Sequence, residues 1–185
     1  EGVYTCLIEN EDCEEQILTP GMDDEIFSRT KVPMTKNEVR VLSISRLELT
    51  KNAVVYDVGS GTGSVSIECA RLSPDIFVFA IEQKEEAANL TKENAVRFGL
   101  SDQIVVINKK APEGFEELPT PTHVFIGGSS GALSDILSAI QKKLIVKENT
   151  KGKTDKASKG VRVVINAVSL ETIAQITKLI QTYPV

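Results

Sequence analysis

Residues 53 to 63 read Ala-Val-Val-Tyr-Asp-Val-Gly-Ser-Gly-Thr-Gly, an apolar strand running straight into glycines at 59, 61 and 63. Ser64-Val65-Ser66-Ile67-Glu68-Cys69-Ala70 follows at once and reads as a helix start. A strand, a glycine turn and a helix N-terminus in that order let backbone lie against a bound ligand. Glycine serves because a Cβ would obstruct both the turn and the approach. The dinucleotide fingerprint would want a third glycine at 64, where this chain has Ser64, so a nicotinamide ligand is disfavoured. Taken alone, the cluster also fits a plain tight turn.

The rest of the chain alternates regularly. Thr35, with Glu38 three residues on, is expected to form a capping box for a helix continued by Val39, Leu42, Ser43 and Arg46. Strands are expected at 53–58, 76–81, 104–108, 122–127 and 161–166, and helices at 63–72, 84–98, 131–146 and 169–182, with a short helical stretch near 112–118. Gly99 suits the end of the second of these helices. Continuous apolar strands between amphipathic helices predict an α/β domain with a mostly parallel sheet covered on both faces. The last strand, Val161-Arg162-Val163-Val164-Ile165, is apolar enough to be central, so further strands are expected beyond Pro184.

Residues 1–30, acidic and weakly periodic, read as a linker or peripheral segment, leaving 31–185 as the domain. The lysine-rich tract 147–160 is too long for an ordinary αβ connection of about 2–6 residues and reads as a solvated, mobile insertion.

Length and composition narrow the classes. A chain of 185 residues suffices for one α/β domain with a real core. A net charge of −5 disfavours electrostatic capture of nucleic acid. No apolar run approaches a membrane span and no signal-peptide pattern is seen, so no membrane role and a cytoplasmic setting are expected. Cys6, Cys13 and Cys69 are too few and scattered for a disulfide framework or zinc site, and read as reduced thiols, a Cys6–Cys13 disulfide being the alternative. A single histidine, His123, cannot build a histidine-rich metal centre, and no metal is expected.

Glu82 ends the second strand, about 20 residues past the glycine turn, where Rossmann-like folds place a carboxylate for ribose hydroxyls. The competing role is a surface carboxylate capping the next helix. Glycine turn plus acid point to a ligand containing a nucleoside.

Asp57-Val58-Gly59-Ser60-Gly61-Thr62-Gly63 with Glu82 resembles the S-adenosylmethionine motif of class I methyltransferases. Four segments narrow the resemblance: Gly21-Met22-Asp23-Asp24-Glu25-Ile26-Phe27, Lys31-Val32-Pro33-Met34-Thr35-Lys36-Asn37-Glu38, Lys110-Ala111-Pro112-Glu113-Gly114 and Phe125-Ile126-Gly127-Gly128-Ser129-Ser130-Gly131. Together they look like the decarboxylating precorrin methyltransferases of cobalamin biosynthesis, over about residues 21 to 182 apart from the insertion. The glycine loop and Glu82 are common to all class I methyltransferases; the Pro-Met-Thr-Lys and Ile-Gly-Gly-Ser segments are much more specific.

That resemblance implies S-adenosylmethionine as cofactor, touched by Thr35, Gly59, Ser60, Gly61, Thr62, Gly63, Glu82 and Ala111. Asp57 would orient the loop or the cofactor ammonium, a structural role being the alternative. The implied reaction methylates carbon 15 of a tetrapyrrole and removes the ring C acetate carboxylate. Gly127, Gly128, Ser129 and Ser130, beside the switch point of the sheet, would receive that flat, many-carboxylate substrate, and Arg29, Lys31 and Lys36 could pair its carboxylates. No residue is assigned as catalytic base, and His123 reads as structural. Homo-oligomers, often tetramers, and an upstream methyltransferase domain acting at carbon 5 are also implied. Two other readings stay open: a class I methyltransferase acting on RNA or protein, and a non-catalytic nucleotide-binding module.

Overall fold

A computed structural model of the chain describes residues 19–150 and 160–183. Five parallel strands, β1 (Val54–Val58), β2 (Phe77–Ile81), β3 (Ile104–Ile107), β4 (His123–Ile126) and β5 (Arg162–Ile165), form one sheet in the order β3-β2-β1-β4-β5. The helices are α1 (Asn37–Leu47), α2 (Ser64–Arg71), α3 (Glu85–Arg97), α4 (Leu133–Thr150) and α5 (Leu170–Leu179), with single 3₁₀ turns at Asp24–Ile26 and Phe115–Glu117. Chain order reverses at β1: the path runs outward through β2 and β3, then returns to the other side of β1 for β4 and β5. A crevice outside the strands' carboxyl ends is therefore expected between β1 and β4.

Alternation along the strands builds two cores. Val55, Val78, Ala80 and Phe125 pack towards α1, α2 and α3, while Tyr56, Val58, Val124 and Ile126 pack towards α4 and α5. Asp57 falls in the phase of Val55 and so points at α2, where Ser66 meets it. The register places Ile107, Ile81, Val58, Ile126 and Ile165 on one rung. The next residue of each strand, Asn108, Glu82, Gly59, Gly127 and Asn166, starts a row of loop residues along the carboxyl edge of the sheet.

Several expectations need correction. Helix α1 starts at Asn37 with Lys36 at its cap, and no capping box forms: Arg40 takes the Thr35 carbonyl at 2.7 Å. Its inward face is Arg40, Ser43, Ile44 and Leu47, leaving Val39 and Leu42 at 45% and 63% exposure. Residues 19–30 are less peripheral than their acidity suggested, because Met22 and Phe27 are buried in the α1–α2 core. Residues 147–150, assigned to the insertion, continue α4, and 151–159 lie outside the described residues. Strand β5 stands at an edge of the described sheet, the position from which the expected further strands would extend it. The strands expected beyond Pro184, the pair Cys6 and Cys13, and the rest of the proposed linker lie outside the described residues. No described helix is long and apolar enough to cross a membrane.

Candidate functional site

The loop 59–63 is a tight coil at the mouth of the switch point. Gly59, Gly61 and Gly63 have φ of 75°, 59° and 78°, a region that costs a residue with a Cβ about 1 kcal/mol or more. Space is as restrictive as conformation. A Cβ on Gly59 would lie 2.7 Å from the Gly128 carbonyl oxygen, and one on Gly61 would lie 2.6 Å from the Pro33 carbonyl oxygen. The loop is thus sandwiched between the segment after β4 and the segment before α1. Its own geometry is held by Gly59 N–H donating to Ile81 O (2.8 Å), Gly63 N–H to Ser60 O (2.8 Å) and Thr91 Oγ1 to Gly61 O (3.0 Å).

Glu82, 8% exposed, accepts from Gly61 N–H through Oε2 (3.1 Å) and from Lys84 N–H through Oε1 (2.9 Å). One oxygen braces the entry of α3, the helix-capping role, and the other faces the glycine loop. Each oxygen accepts one backbone bond and retains a lone pair for a ligand hydroxyl. Asn108 Nδ2 donates to the Glu82 carbonyl (2.8 Å), fixing the residue from the β3 side. Asp57 is 1% exposed; its Oδ2 accepts from Ser66 Oγ at 2.5 Å, while Oδ1 has no partner among the described residues. Burial pushes the Asp57 carboxyl up to about 6; the Ser66 hydrogen bonds oppose this, and the nearby Glu82 carboxylate adds to it. The Thr62 hydroxyl is likewise buried without a partner.

The segment 21–36 crosses the loop as a strap. Its anchor was missed in the sequence: Arg40 and Glu68, both fully buried, pair at 2.6 Å (Nε to Oε1). Glu68 also accepts from Gly21 N–H (2.7 Å) and Met22 N–H (3.1 Å). Arg40 donates further to Asp24 (3.0 Å), to the Thr35 carbonyl and to the Met22 carbonyl, and stacks 4.9 Å over the Phe27 ring. The available signal was a charge of each sign on an inward-facing helix position: Arg40 in phase with Ser43, Ile44 and Leu47, and Glu68 among small and apolar neighbours. Thr35 thereby sits two residues past the Pro33 carbonyl that abuts Gly61.

Beyond β4, Gly127, Gly128, Ser129 and Ser130 line one side of a cavity of about 240 Å³, with Asn166, Ser169 and Thr172 on the other. These last three carry polar groups that the sequence reading did not select. The N–H groups of Gly127 and Gly128 are committed to the Val58 carbonyl (2.9 and 3.2 Å). Ser130 Oγ accepts from Gln83 Nε2 at 2.7 Å, a bridge across the end of β1.

Ala111 lies between β3 and the Phe115–Glu117 turn, half-buried against the α4 core. Lys143 Nζ holds that turn by donating to the Phe115 and Leu118 carbonyls, both at 2.6 Å. The structure thus brings Gly59–Gly63, Glu82 and Gly127–Ser130 together, with Thr35 tethered beside them by the strap. Of the cations expected near the cleft, Arg29 pairs with Glu25 (3.8 Å) and Lys36 with Asp24 (3.1 Å), while Lys31 is exposed. His123 stands at the amino end of β4, across the sheet from the site, with Nδ1 against Thr122 Oγ1 (2.8 Å).

The family model described as a precorrin methyltransferase domain matches residues 25–184. A protein of Pyrobaculum calidifontis, named a probable cobalt-precorrin-6B C(15)-methyltransferase (decarboxylating), is 40% identical over 157 residues, covering 84% of this chain and 73% of its own length. Among solved structures, a precorrin-6y C5,15-methyltransferase from Geobacter metallireducens superposes with a TM-score of 0.75 at 34% identity, covering 89% of this chain and 78% of that one. A precorrin 8W decarboxylase from Methanobacterium thermoautotrophicum gives 0.73 at 33% identity, covering 87% and 80%.

Proposed function

The chain belongs to the precorrin methyltransferase domain family, and from that membership we propose that it methylates carbon 15 of a precorrin with S-adenosylmethionine and removes the ring C acetate carboxylate, a step of cobalamin biosynthesis. The observation that carries this reading is the row along the carboxyl edge of the sheet. There the glycine loop and Glu82 sit directly beside the Gly127–Ser130 cavity, so a nucleoside-bearing donor and a second ligand would meet at one switch point.

The residues present fit the cofactor. An unpartnered, buried Asp57 Oδ1 at the start of the loop suits an ammonium group, directly or through water. Glu82 offers acceptors to ribose hydroxyls, and Thr35, Gly59, Ser60, Gly61, Thr62, Gly63 and Ala111 supply the lining. When bound, S-adenosylmethionine supplies a methyl on an already activated sulfonium. The protein's task is then alignment and exclusion of water. The strap closes the loop from one side, and the Gly59–Gly128 contact seats the glycine loop against the β4 loop. Gly127, Gly128, Ser129 and Ser130 leave room for a flat macrocycle, and the Ser129 and Ser130 hydroxyls suit its carboxylates. In decarboxylation the bond to the carboxyl carbon breaks, its electron pair passes into the conjugated macrocycle, and a proton is taken up there. A cytoplasmic homo-oligomer, working with a domain that methylates carbon 5, is the setting we infer for it.

Incubation with S-adenosylmethionine and a precorrin-6B-type substrate, followed by mass spectrometry, tests the proposal. The expected product has gained a methyl and lost carbon dioxide. Unchanged substrate mass, in protein shown by calorimetry to bind the cofactor, rejects it. Methyl incorporation into RNA or protein instead would establish the alternative substrate class.

A further inference from the structure

We propose that Arg40 is a positioning residue for the cofactor: one buried guanidinium joins the strap 21–36 to helix α2 and so fixes Thr35 and Pro33 over the glycine loop. The inference rests on reading Thr35 and Gly59–Gly63 as a cofactor site, and goes beyond it by assigning a residue that touches no ligand.

The argument starts from the donors. A guanidinium carries five N–H groups in a rigid planar fork. Arg40 spends them on Glu68 of α2, on Asp24 and the Met22 carbonyl at the start of the strap, and on the Thr35 carbonyl at its end. One side chain therefore ties three segments separated in sequence. Glu68 completes the junction by accepting the Gly21 and Met22 amides. Asn94 pins the strap's middle, exchanging two hydrogen bonds with the Ser28 backbone (2.8 and 3.0 Å) and donating to Thr62 O in the glycine loop (2.8 Å). Held at both ends and the centre, the strap presents the Pro33 carbonyl to Gly61.

Fold stability alone is a poor reason for such a centre. Desolvating a buried ion pair costs about as much as its attraction returns, and apolar replacements of similar volume are often tolerated. What a fork of fixed donors supplies and an apolar cluster lacks is a defined path for the strap. A wall that is already in place lowers the ordering cost of ligand binding.

The test is the double variant Arg40→Met with Glu68→Leu, which removes both charges and leaves neither orphaned, alongside Arg40→Lys. The double variant is expected to stay folded by circular dichroism and to lose about tenfold or more in S-adenosylmethionine affinity by calorimetry. The precorrin KM at saturating cofactor should stay within about twofold of the parent value. Arg40→Lys keeps the charge but cannot span Glu68, Met22 and Thr35 together, so its cofactor affinity should also fall. A folded double variant binding the cofactor as tightly as the parent overturns the proposal. Should the double variant fail to fold, Asp24→Asn decides: it removes one strap anchor and leaves the Arg40–Glu68 pair, and unchanged cofactor affinity there overturns the proposal equally. A parent protein that does not bind the cofactor overturns the functional reading as well, whereas a binding parent with equally binding variants overturns only the role of Arg40.

Discussion

In the proposed reading, Glu82 serves fold and ligand together. Its two oxygens are spread between the Gly61 and Lys84 amides, which orients the free lone pairs before any ligand arrives. Glu82→Ala should therefore weaken S-adenosylmethionine binding by about 10–100-fold, the range expected on losing hydrogen bonds to a charged acceptor. Calorimetry reads this directly, and affinity within twofold of the parent would reject the ribose role. Arg40 and Glu68 mark the opposite case at the same scale. Each was visible as a charge at an inward helical position, yet nothing local says that two such charges, 28 residues apart, will neutralise one another. A pairing of this kind is a tertiary fact, and it accompanies an inward face made of Arg40, Ser43, Ile44 and Leu47.

At the scale of elements the sequence was most legible where backbone and side chain agree. The strand–glycine turn–helix unit, the acid ending β2 and Gly99 closing α3 all rest on local chemistry, and every strand lies within a residue or two of its expected position. Legibility failed where long-range partners decide. The Thr35 capping box lost to Arg40, which claims the Thr35 carbonyl, and the acidic run around Asp23-Asp24-Glu25 disguised a strap anchored by Met22 and Phe27. The polar wall formed by Asn166, Ser169 and Thr172 was equally hidden, because β5 and α5 meet the β4 loop only through the sheet's crossover. Loop and strap should respond as one body. Gly61→Ala combines a positive φ with a Cβ driven into the Pro33 carbonyl, so it should destabilise the domain by about 1–3 kcal/mol. Faster amide exchange should appear in the strap at Gly21 and Met22. A loss of stability without faster exchange there would separate the two segments.

For the molecule as a whole, pH acts with opposite signs on a buried carboxylate, Asp57, and a partly buried one, Asp24. Asp57 titrates near 6 in the fold against an ordinary 3.8, so the folded state binds the extra proton between those values. Its ionisation is a penalty, absent below about pH 4 and fully felt above about pH 6–7, of at most about 3 kcal/mol. At Asp24 burial pushes the carboxyl up, but hydrogen bonds and charge from Lys36 and Arg40 outweigh it and hold the group below its ordinary value. Its contribution is present above the ordinary value and disappears as pH falls through the folded one. Asp57→Asn should consequently gain in thermal midpoint relative to the parent as pH is raised from 4 to 7, while binding the cofactor less tightly. A difference between the two melting curves that stays constant with pH would show that Asp57 is not the titrating group.

The contact between Gly59 and Gly128 carries a last consequence. Where those two glycines meet, the loop proposed for the donor and the loop proposed for the acceptor touch backbone to backbone. No side chain is available there to absorb a change on either side. A methyl group added at position 59 would push directly on the Gly128 backbone, so the two ligands should lose affinity together. Neighbouring loops in such direct contact cannot be remodelled one at a time. A change of substrate shape at the β4 loop would have to be matched on the glycine loop that faces it.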